Sequence, residues 1–464
     1  MLVVLIAVSA FAWPGIASAW TKQDLTIPAS DGLPLAATLY VPNGAPPTGG
    51  WPAIMLFHGL GGSRQDMNLL AERYFLPGDQ YAVLTLDARG HGDTGGLVTL
   101  DGPREIADVR EAFGWLAARA DVSDTRIGAW GISLGGGAVW NAVVGGVPFA
   151  AAETCETWTD LYSALVPQNL SKSGAITGFL SEIRPGALDP GLEPLSTWAF
   201  TSAHLPELRA FSAERSVLSR LRSVRTPMFM MQGRRDFAFG IDQATRAYAA
   251  LRGPKALWIG NHGHAPSSFP AADTSAMMKA GKVWFDRHLR GLPVDTGPPV
   301  RIARQGQATA VGYSRLPPTT SGMITFGGQK TIEQTGKLVR TSNPVETALE
   351  VFGRPEVSLT ATSVAGWSRL VAVLAARTPA GKEIVVASGG VRTGEGKGRY
   401  TIRMIDQATF VPKGSRFVVT LASSSTAQSS ANLLYLDLPM IAGARVTIKP
   451  LNVWIPVLKT AISR

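Results

Sequence analysis

Ser133, Asp236 and His264 are the residues of this 464-residue sequence whose types could cooperate in attack on a carbonyl carbon. A serine hydroxyl is a poor nucleophile until a base takes its proton. Histidine suits that task because its pKa lies near neutrality, and an acidic acceptor must hold it in one tautomer. Asp242, in the same loop as Asp236, is the second choice of acid; its expected role is to cap the following helix. His262 competes with His264. Gly263 permits a tight loop at 264, and Ala265-Pro266 follow without bulk, which favours His264. A metal site on His262-x-His264 shows no third ligand at recognisable spacing, so no metal is expected.

Ser133 lies in Gly131-Ile132-Ser133-Leu134-Gly135. With 50 glycines in the chain, that pentapeptide arises by chance in roughly one such sequence in three, so its surroundings decide its meaning. Arg126–Trp130 reads as a buried strand and Ala138–Val144 as a helix. Ser133 therefore sits on a sharp strand-to-helix turn, with glycines where helix and strand nearly touch. Asp24–Pro28 and Leu35–Pro42 read as a hairpin. Trp51–Phe57, Tyr81–Leu86, Phe149–Ala152, Thr226–Gly233 and Ala256–Ile259 read as further strands. Helices are predicted over Asp66–Tyr74, Ile106–Ala120, Asp242–Leu251 and Met277–Leu289. Such alternation implies a mostly parallel sheet covered on both faces, with ligands at the carboxyl ends of its strands. Ser133, Asp236 and His264 all fall in loops at that edge. Ser, then Asp, then His is the chain order of an α/β-hydrolase triad, and an α/β-hydrolase fold is the expectation.

The oxyanion of a tetrahedral intermediate needs preorganised donors. The expected donors are the backbone N–H of Leu134, next after the serine, and that of Leu60, beyond the His58-Gly59 strand end. Losing one such donor typically raises the barrier by roughly 3 kcal/mol. Gly59, Gly61 and Gly62 let that backbone come close. His58 is read as a brace for this loop, and Asp87 with Arg89 as a pair holding the next one.

From about Cys155 to Leu221, short helical pieces alternate with Pro and Gly turns and carry Trp158, Tyr162, Phe179, Trp198, Phe200 and Phe211. This reads as a small helical cap, about residues 155–222, inserted in a catalytic domain of residues 20–296. The aromatics are expected to pack the cap onto the body, with an acyl or ring pocket as the alternative. Beyond Gly291-Leu292-Pro293 and Pro298-Pro299 the period becomes two, as in Glu356–Ala361, Arg369–Leu374 and Arg416–Leu421. Residues 297–464 are expected to form an all-β domain, a sandwich or jelly roll.

The net charge is +10. No dense basic tract accompanies it, and Arg209, Arg215, Arg220, Arg222 and Arg225 have the spacing of a solvated helix face, so nucleic-acid binding is not expected. Leu2–Ala12 is apolar, Pro14-Gly15 breaks the run, and Ala17-Ser18-Ala19 fits a cleavage site. Residues 1–19 thus read as a signal peptide, although no Lys or Arg precedes the run. No stretch reaches the about 18 apolar residues of a membrane span. The mature chain is expected to start near Trp20 and to be secreted, periplasmic or in the cell envelope. Cys155 is the single cysteine and reads as a small buried thiol, so packing must supply the stability that disulfides do not.

The stretches Gly131-Ile132-Ser133-Leu134-Gly135-Gly136, Gln232-Gly233-Arg234-Arg235-Asp236, Gly260-Asn261-His262-Gly263-His264 and Trp284–Gly291 resemble the X-Pro dipeptidyl-peptidase and cocaine-esterase (CocE/NonD) group of α/β-hydrolases. Gly353–Val357 is similar to part of that family's jelly-roll domain. The resemblance implies a Ser133, Asp236, His264 triad, with His264 rather than His262, and a helical cap inserted within it. The family includes peptidases, esterases and amide-cleaving acylases. Its members often place a Tyr hydroxyl in the oxyanion hole, where His58-Gly59-Leu60-Gly61-Gly62 offers backbone donors instead. Its dedicated dipeptidyl-peptidases carry a large extra N-terminal domain, whereas only the hairpin precedes this sheet. No amine-binding carboxylate for a peptide N-terminus stands out; Glu153 and Glu156 are the nearest. These departures favour an esterase acting on small-molecule esters through an acyl-enzyme, without metal or organic cofactor. Amide or X-Pro cleavage of a short peptide is the second expectation, and a catalytically inert binding protein the third.

Overall fold

The structure, a computed structural model, describes residues 19–78 and 80–459. The expected signal peptide, all but its last residue, lies outside them. The catalytic part is one ten-stranded sheet. Its strands are β1 (Trp20–Pro28), β2 (Pro34–Pro42), β3 (Trp51–Phe57), β4 (Ala82–Leu86), β5 (Val122–Ile132), β6 (Ala151–Cys155), β7 (Met228–Gly233), β8 (Lys255–Gly260), β9 (Val300–Ala303) and β10 (Ala310–Tyr313). The order across the sheet is β1-β2-β4-β3-β5-β6-β7-β8-β9-β10. From β4 to β9 all neighbours are parallel. The β1–β2 hairpin and β10 are antiparallel edges.

Continuous apolar runs form these strands because both faces are covered. Ala53, Met55 and Phe57 of β3 enter the core on one face, and Ile54 and Leu56 enter the core on the other. The helices are α1 (Arg64–Leu70), α2 (Pro103–Ala117), α3 (Leu134–Val144), α4 (Leu161–Leu165), α5 (Ser173–Glu182), α6 (Glu193–Thr201), α7 (Leu205–Glu214), α8 (Asp242–Ala250) and α9 (Thr274–His288). Helices α4 to α7 lie between β6 and β7 and form the cap. Pro103 opens α2 at a position where a missing N–H costs nothing. Helix α3 is buried from Leu134 to Val143, since it is wedged between the sheet and the elements above it.

The sheet continues past residue 297, where the sequence places the domain boundary, because β9 pairs onto β8 and β10 onto β9. The remaining strands are β11 (Thr319–Phe326), β12 (Lys330–Glu333), β13 (Leu338–Pro344), β14 (Leu349–Gly353), β15 (Glu356–Ala365), β16 (Arg369–Arg377), β17 (Glu383–Arg392), β18 (Gly398–Arg403), β19 (Gln407–Val411), β20 (Arg416–Ala422) and β21 (Arg445–Leu458). They form a seven-stranded and a four-stranded sheet. Val357 and Leu359 of the first share one apolar core with Leu370 and Leu374 of the second. This is the all-β domain expected from the period-two pattern.

The β domain grips the catalytic domain beside the β7–α8 loop. Arg234 and Glu350, both buried, form an ion pair across the junction. The N–H of Ala408 donates to Arg234 O at 2.7 Å, and that of Ile241 to Asp406 O at 3.0 Å. The cap is tied to the β domain as well. Gly174 N–H donates to Leu434 O at 3.1 Å, and Leu436 N–H to Ser173 Oγ at 3.0 Å.

Candidate active site

Ser133 sits between β5 and α3 with φ 53° and ψ −117°. A non-glycine residue holds such a conformation at a cost of about 1–3 kcal/mol, borne by the surrounding structure. The glycines beside it are required by space. A Cβ at Gly131 would overlap the backbone of Gly135, and one at Gly135 would overlap the carbonyls of Phe57 and His58. The turn is held by Ser133 N–H donating to Cys155 O at 2.9 Å and by Thr157 Oγ1 donating to Ser133 O at 2.8 Å.

Asp236 follows β7 and His264 follows β8. His264 Nδ1–H donates to Asp236 Oδ2 at 2.8 Å, which leaves Nε2 as acceptor for the Ser133 hydroxyl at 3.0 Å. The same Oδ2 accepts the His264 backbone N–H at 3.2 Å, and Oδ1 accepts those of Ala238 and Phe239 at 2.9 Å each. Every lone-pair direction of this buried carboxylate is therefore occupied. Burial would raise the Asp236 pKa, but the His264 charge and these hydrogen bonds hold it below its usual range. Burial would lower that of His264; the Asp236 charge and hydrogen bond, with Glu156 and Glu182 adding, instead raise it to about 9. Phe179 of the cap and Phe239 of the acid loop stand edge-on to the imidazole, at centroid distances of 5.2 and 5.1 Å. They leave the ring little freedom to turn.

Leu134 is the first residue of α3, so its N–H has no acceptor within the helix. Leu60 follows Gly59, whose backbone abuts Ser133: a Cβ there would lie 3.4 Å from Ser133 Cβ. Both leucines line one cavity together with Ser133. His58 braces this loop. Its Nδ1 lies 2.7 Å from Gly59 O, and its Nε2 accepts from Ala88 N–H at 3.0 Å. Burial lowers its pKa to about 4, which keeps it neutral.

Asp87 and Arg89 do not pair with each other, contrary to the sequence reading. Asp87 binds Arg64, and Arg89 binds Asp108 and Asp31. The two side chains leave the backbone towards different partners. Asp242 lies away from the imidazole, near Arg246 and Arg354. It is the first residue of α8, whose N-cap is Ile241, so it stands one place past the cap. His262 is buried and meets Glu156, Nδ1 to Oε1 at 2.8 Å. Cys155, Glu156 and His262 bring three possible metal ligands within 4.8 Å of one another, a proximity that the His262-x-His264 spacing alone does not reveal. Within that trio His262 Nδ1 is already engaged by the Glu156 carboxylate, while His262 Nε2 is buried without a hydrogen-bond partner. Burial pushes the Cys155 thiol pKa up, in keeping with a packed rather than reactive group.

Three spaces adjoin these residues. A cavity of about 120 Å³ under the cap touches Ser133, Leu60 and Leu134 but not His264. A larger cleft, about 1120 Å³, runs from His264 between the cap and the β-domain segment Gln428–Leu434. A third opening, of about 500 Å³, touches both Ser133 and His264. Of the cap aromatics, Trp158, Phe179 and Phe211 line the first cavity, where the sequence favours plain packing. Tyr162 and Trp198 do pack within the cap.

A family model described as X-Pro dipeptidyl-peptidase (S15 family) matches residues 31–266, just over half of the chain. The chain belongs to this family. As an S15 member it is an enzyme, a hydrolase of the serine type. The CocE/NonD family hydrolase of Staphylococcus aureus shares its fold at 14% identity, with a TM-score of 0.74 over 95% of this chain and 94% of that one. An α-amino acid ester hydrolase does so at 16% identity and a TM-score of 0.65, over 98% of this chain and all of that one. An aminopeptidase from a marine-sediment Thaumarchaeota archaeon gives 13% identity and a TM-score of 0.70, over 98% and 99%. Quorum-quenching protein AidA of Acinetobacter baumannii is 29% identical over 178 residues, 36% of this chain and 55% of that protein. The chain thus spans just over half the length of this curated relative.

Two residues at the site escape sequence reasoning. Lys172, buried in the cap, donates from Nζ to Phe237 O at 2.9 Å and Ala238 O at 2.8 Å. Gln407 of β19 donates to Asp236 O. Neither carries a motif. Glu156 does have a positional signal, because it follows β6 at the same sheet edge as the others.

Proposed function

We propose that this hydrolase cleaves carboxylic ester bonds through an acyl-enzyme, with Ser133 as nucleophile. His264 takes the Ser133 proton as the hydroxyl attacks the carbonyl carbon, and Asp236 fixes the imidazole tautomer and stabilises the imidazolium. The N–H groups of Leu134 and Leu60 receive the oxyanion. His264 then gives its proton to the leaving alcohol, and water repeats the sequence on the acyl-enzyme. The observation that carries the reading is the unbroken hydrogen-bonded chain from Asp236 through His264 to the Ser133 hydroxyl. No side chain needs to move for the first proton transfer. Export is proposed from the Leu2–Ala12 run and the Ala17-Ser18-Ala19 site; N-terminal sequencing of the extracytoplasmic protein, expected to begin near Trp20, tests it.

Burst kinetics on a short-chain aryl ester, labelling of Ser133 by a fluorophosphonate, and loss of both in Ser133→Ala are the expected results. Undiminished turnover in Ser133→Ala would refute the assignment. X-Pro or other amide cleavage is the second reading, favoured by the family match over residues 31–266. An Ala-Pro-anilide turned over faster than a matched ester would establish it.

A further inference from the structure

Resting on the ester-cleaving reading above, we propose that the cavity beneath the cap is the acyl site and takes an uncharged, apolar acyl group of about six carbons. Three directions leave the reacting carbonyl carbon. Its oxygen turns to the donors at Leu134 and Leu60. Its leaving group must lie where His264 Nε2 can protonate it. The acyl body takes the remaining direction. The cavity that touches Ser133, Leu60 and Leu134 without touching His264 meets that description. The two spaces that reach His264 serve the leaving group.

The walls decide the chemistry. Leu161, Ile176, Leu195, Ala199, Leu208 and Phe211 are among its walls, and no charged residue lines it. Trp158 N–H, the polar group of its largest lining aromatic, is already given to Arg215 O at 2.9 Å. An ammonium placed here would be stripped of water with no carboxylate to meet it. An α-amino acyl or peptide N-terminal group is thus disfavoured, although the fold is shared with enzymes named for such substrates. The volume sets the length. At about 120 Å³ the cavity is slightly smaller than an engineered apolar cavity of about 150 Å³ in another protein, which stays dry and binds benzene. A six-carbon body matches that space, and acetyl leaves most of it empty.

The test is a series of p-nitrophenyl esters with acetyl, hexanoyl, dodecanoyl and norleucyl groups; norleucyl is the hexanoyl skeleton with an α-ammonium. The expected kcat/KM is highest for hexanoyl, by about tenfold or more over both acetyl and norleucyl. Ala199→Phe fills the cavity and should lower the hexanoyl-to-acetyl ratio about tenfold. Leu208→Ala enlarges it and should move the optimum to longer chains, which keeps the proposal testable if Ala199→Phe fails to fold. A flat chain-length profile, a preference for norleucyl, or an optimum unmoved by Leu208→Ala would overturn the inference while leaving ester cleavage intact. No turnover of any ester would overturn the ester reading, and this inference with it.

Discussion

Gln407 of the β domain donates from Nε2 to the backbone carbonyl of Asp236 at 2.7 Å, and both residues are fully buried. The acid is therefore held on its far side by a domain that contributes nothing else to the proton relay. Gln407→Leu removes the donor and leaves a buried carbonyl unpaired, which costs about 1–3 kcal/mol. A small displacement of the acid should lower kcat about tenfold with little change in KM. Steady-state kinetics below the melting transition measure this. General loosening would instead track the folded fraction seen in a thermal melt.

The Asp236 charge and hydrogen bond raise the His264 pKa to about 9. The neutral imidazole, whose Nε2 accepts the Ser133 hydroxyl, is the form that acts as base, so kcat/KM should climb with pH and level off above about 9. Asp236→Asn removes the charge that raises this pKa, so the limb should move to lower pH while the plateau falls about 10⁴-fold. The stability linkage has a definite sign. The folded pKa of His264 lies above its ordinary 6.5, so its contribution is full below that value and is lost as pH rises through about 9. That of Asp236, whose pKa is lowered from 3.8, is present above that value and lost as pH falls further. Urea midpoints across pH measure both.

Gly135→Ala places a methyl group against the carbonyls of Phe57 and His58. Backbone cannot yield as a flexible side chain can. The variant should lose about 3 kcal/mol or more, read as a fall in urea midpoint, and lose fluorophosphonate labelling because the elbow no longer presents Ser133.

Glu350→Gln strands the Arg234 guanidinium in a buried junction and should cost about 3–5 kcal/mol. The double variant Arg234→Met, Glu350→Leu removes both charges and should recover most of that loss. Thermal denaturation of the three proteins decides it. Equal losses in the single and double variants would mean that shape, not charge, governs the site.

Much of this was legible because local chemistry and tertiary position agree. The apolar runs that end at Ser133, Asp236 and His264 are β5, β7 and β8, and their carboxyl ends share one sheet edge. Helix α3 begins at Leu134 rather than near Ala138, because Gly135, Gly136 and Gly137 depress helix propensity but are needed where the backbones crowd. The Asp87–Arg89 reading failed because adjacency in sequence does not fix where two side chains point. The sequence places a boundary at 297, while β9 and β10 extend the first sheet beyond it; strands of four residues each carry too little pattern to be assigned to that sheet. Lys172 and Gln407 were invisible for another reason: they touch the acid loop from 65 and 171 residues away, and no local signal encodes such distances.

The bonds from Gly174 and Ser173 to Leu434 and Leu436 have a consequence for traffic. A roof fastened along its edge to a neighbouring wall does not swing as a hinged lid does. On the ester-cleaving reading proposed above, substrate would enter from the side, past the imidazole, with its acid portion leading. The departing alcohol would leave first through that same doorway, while the covalently held remainder stays in the blind end until water follows.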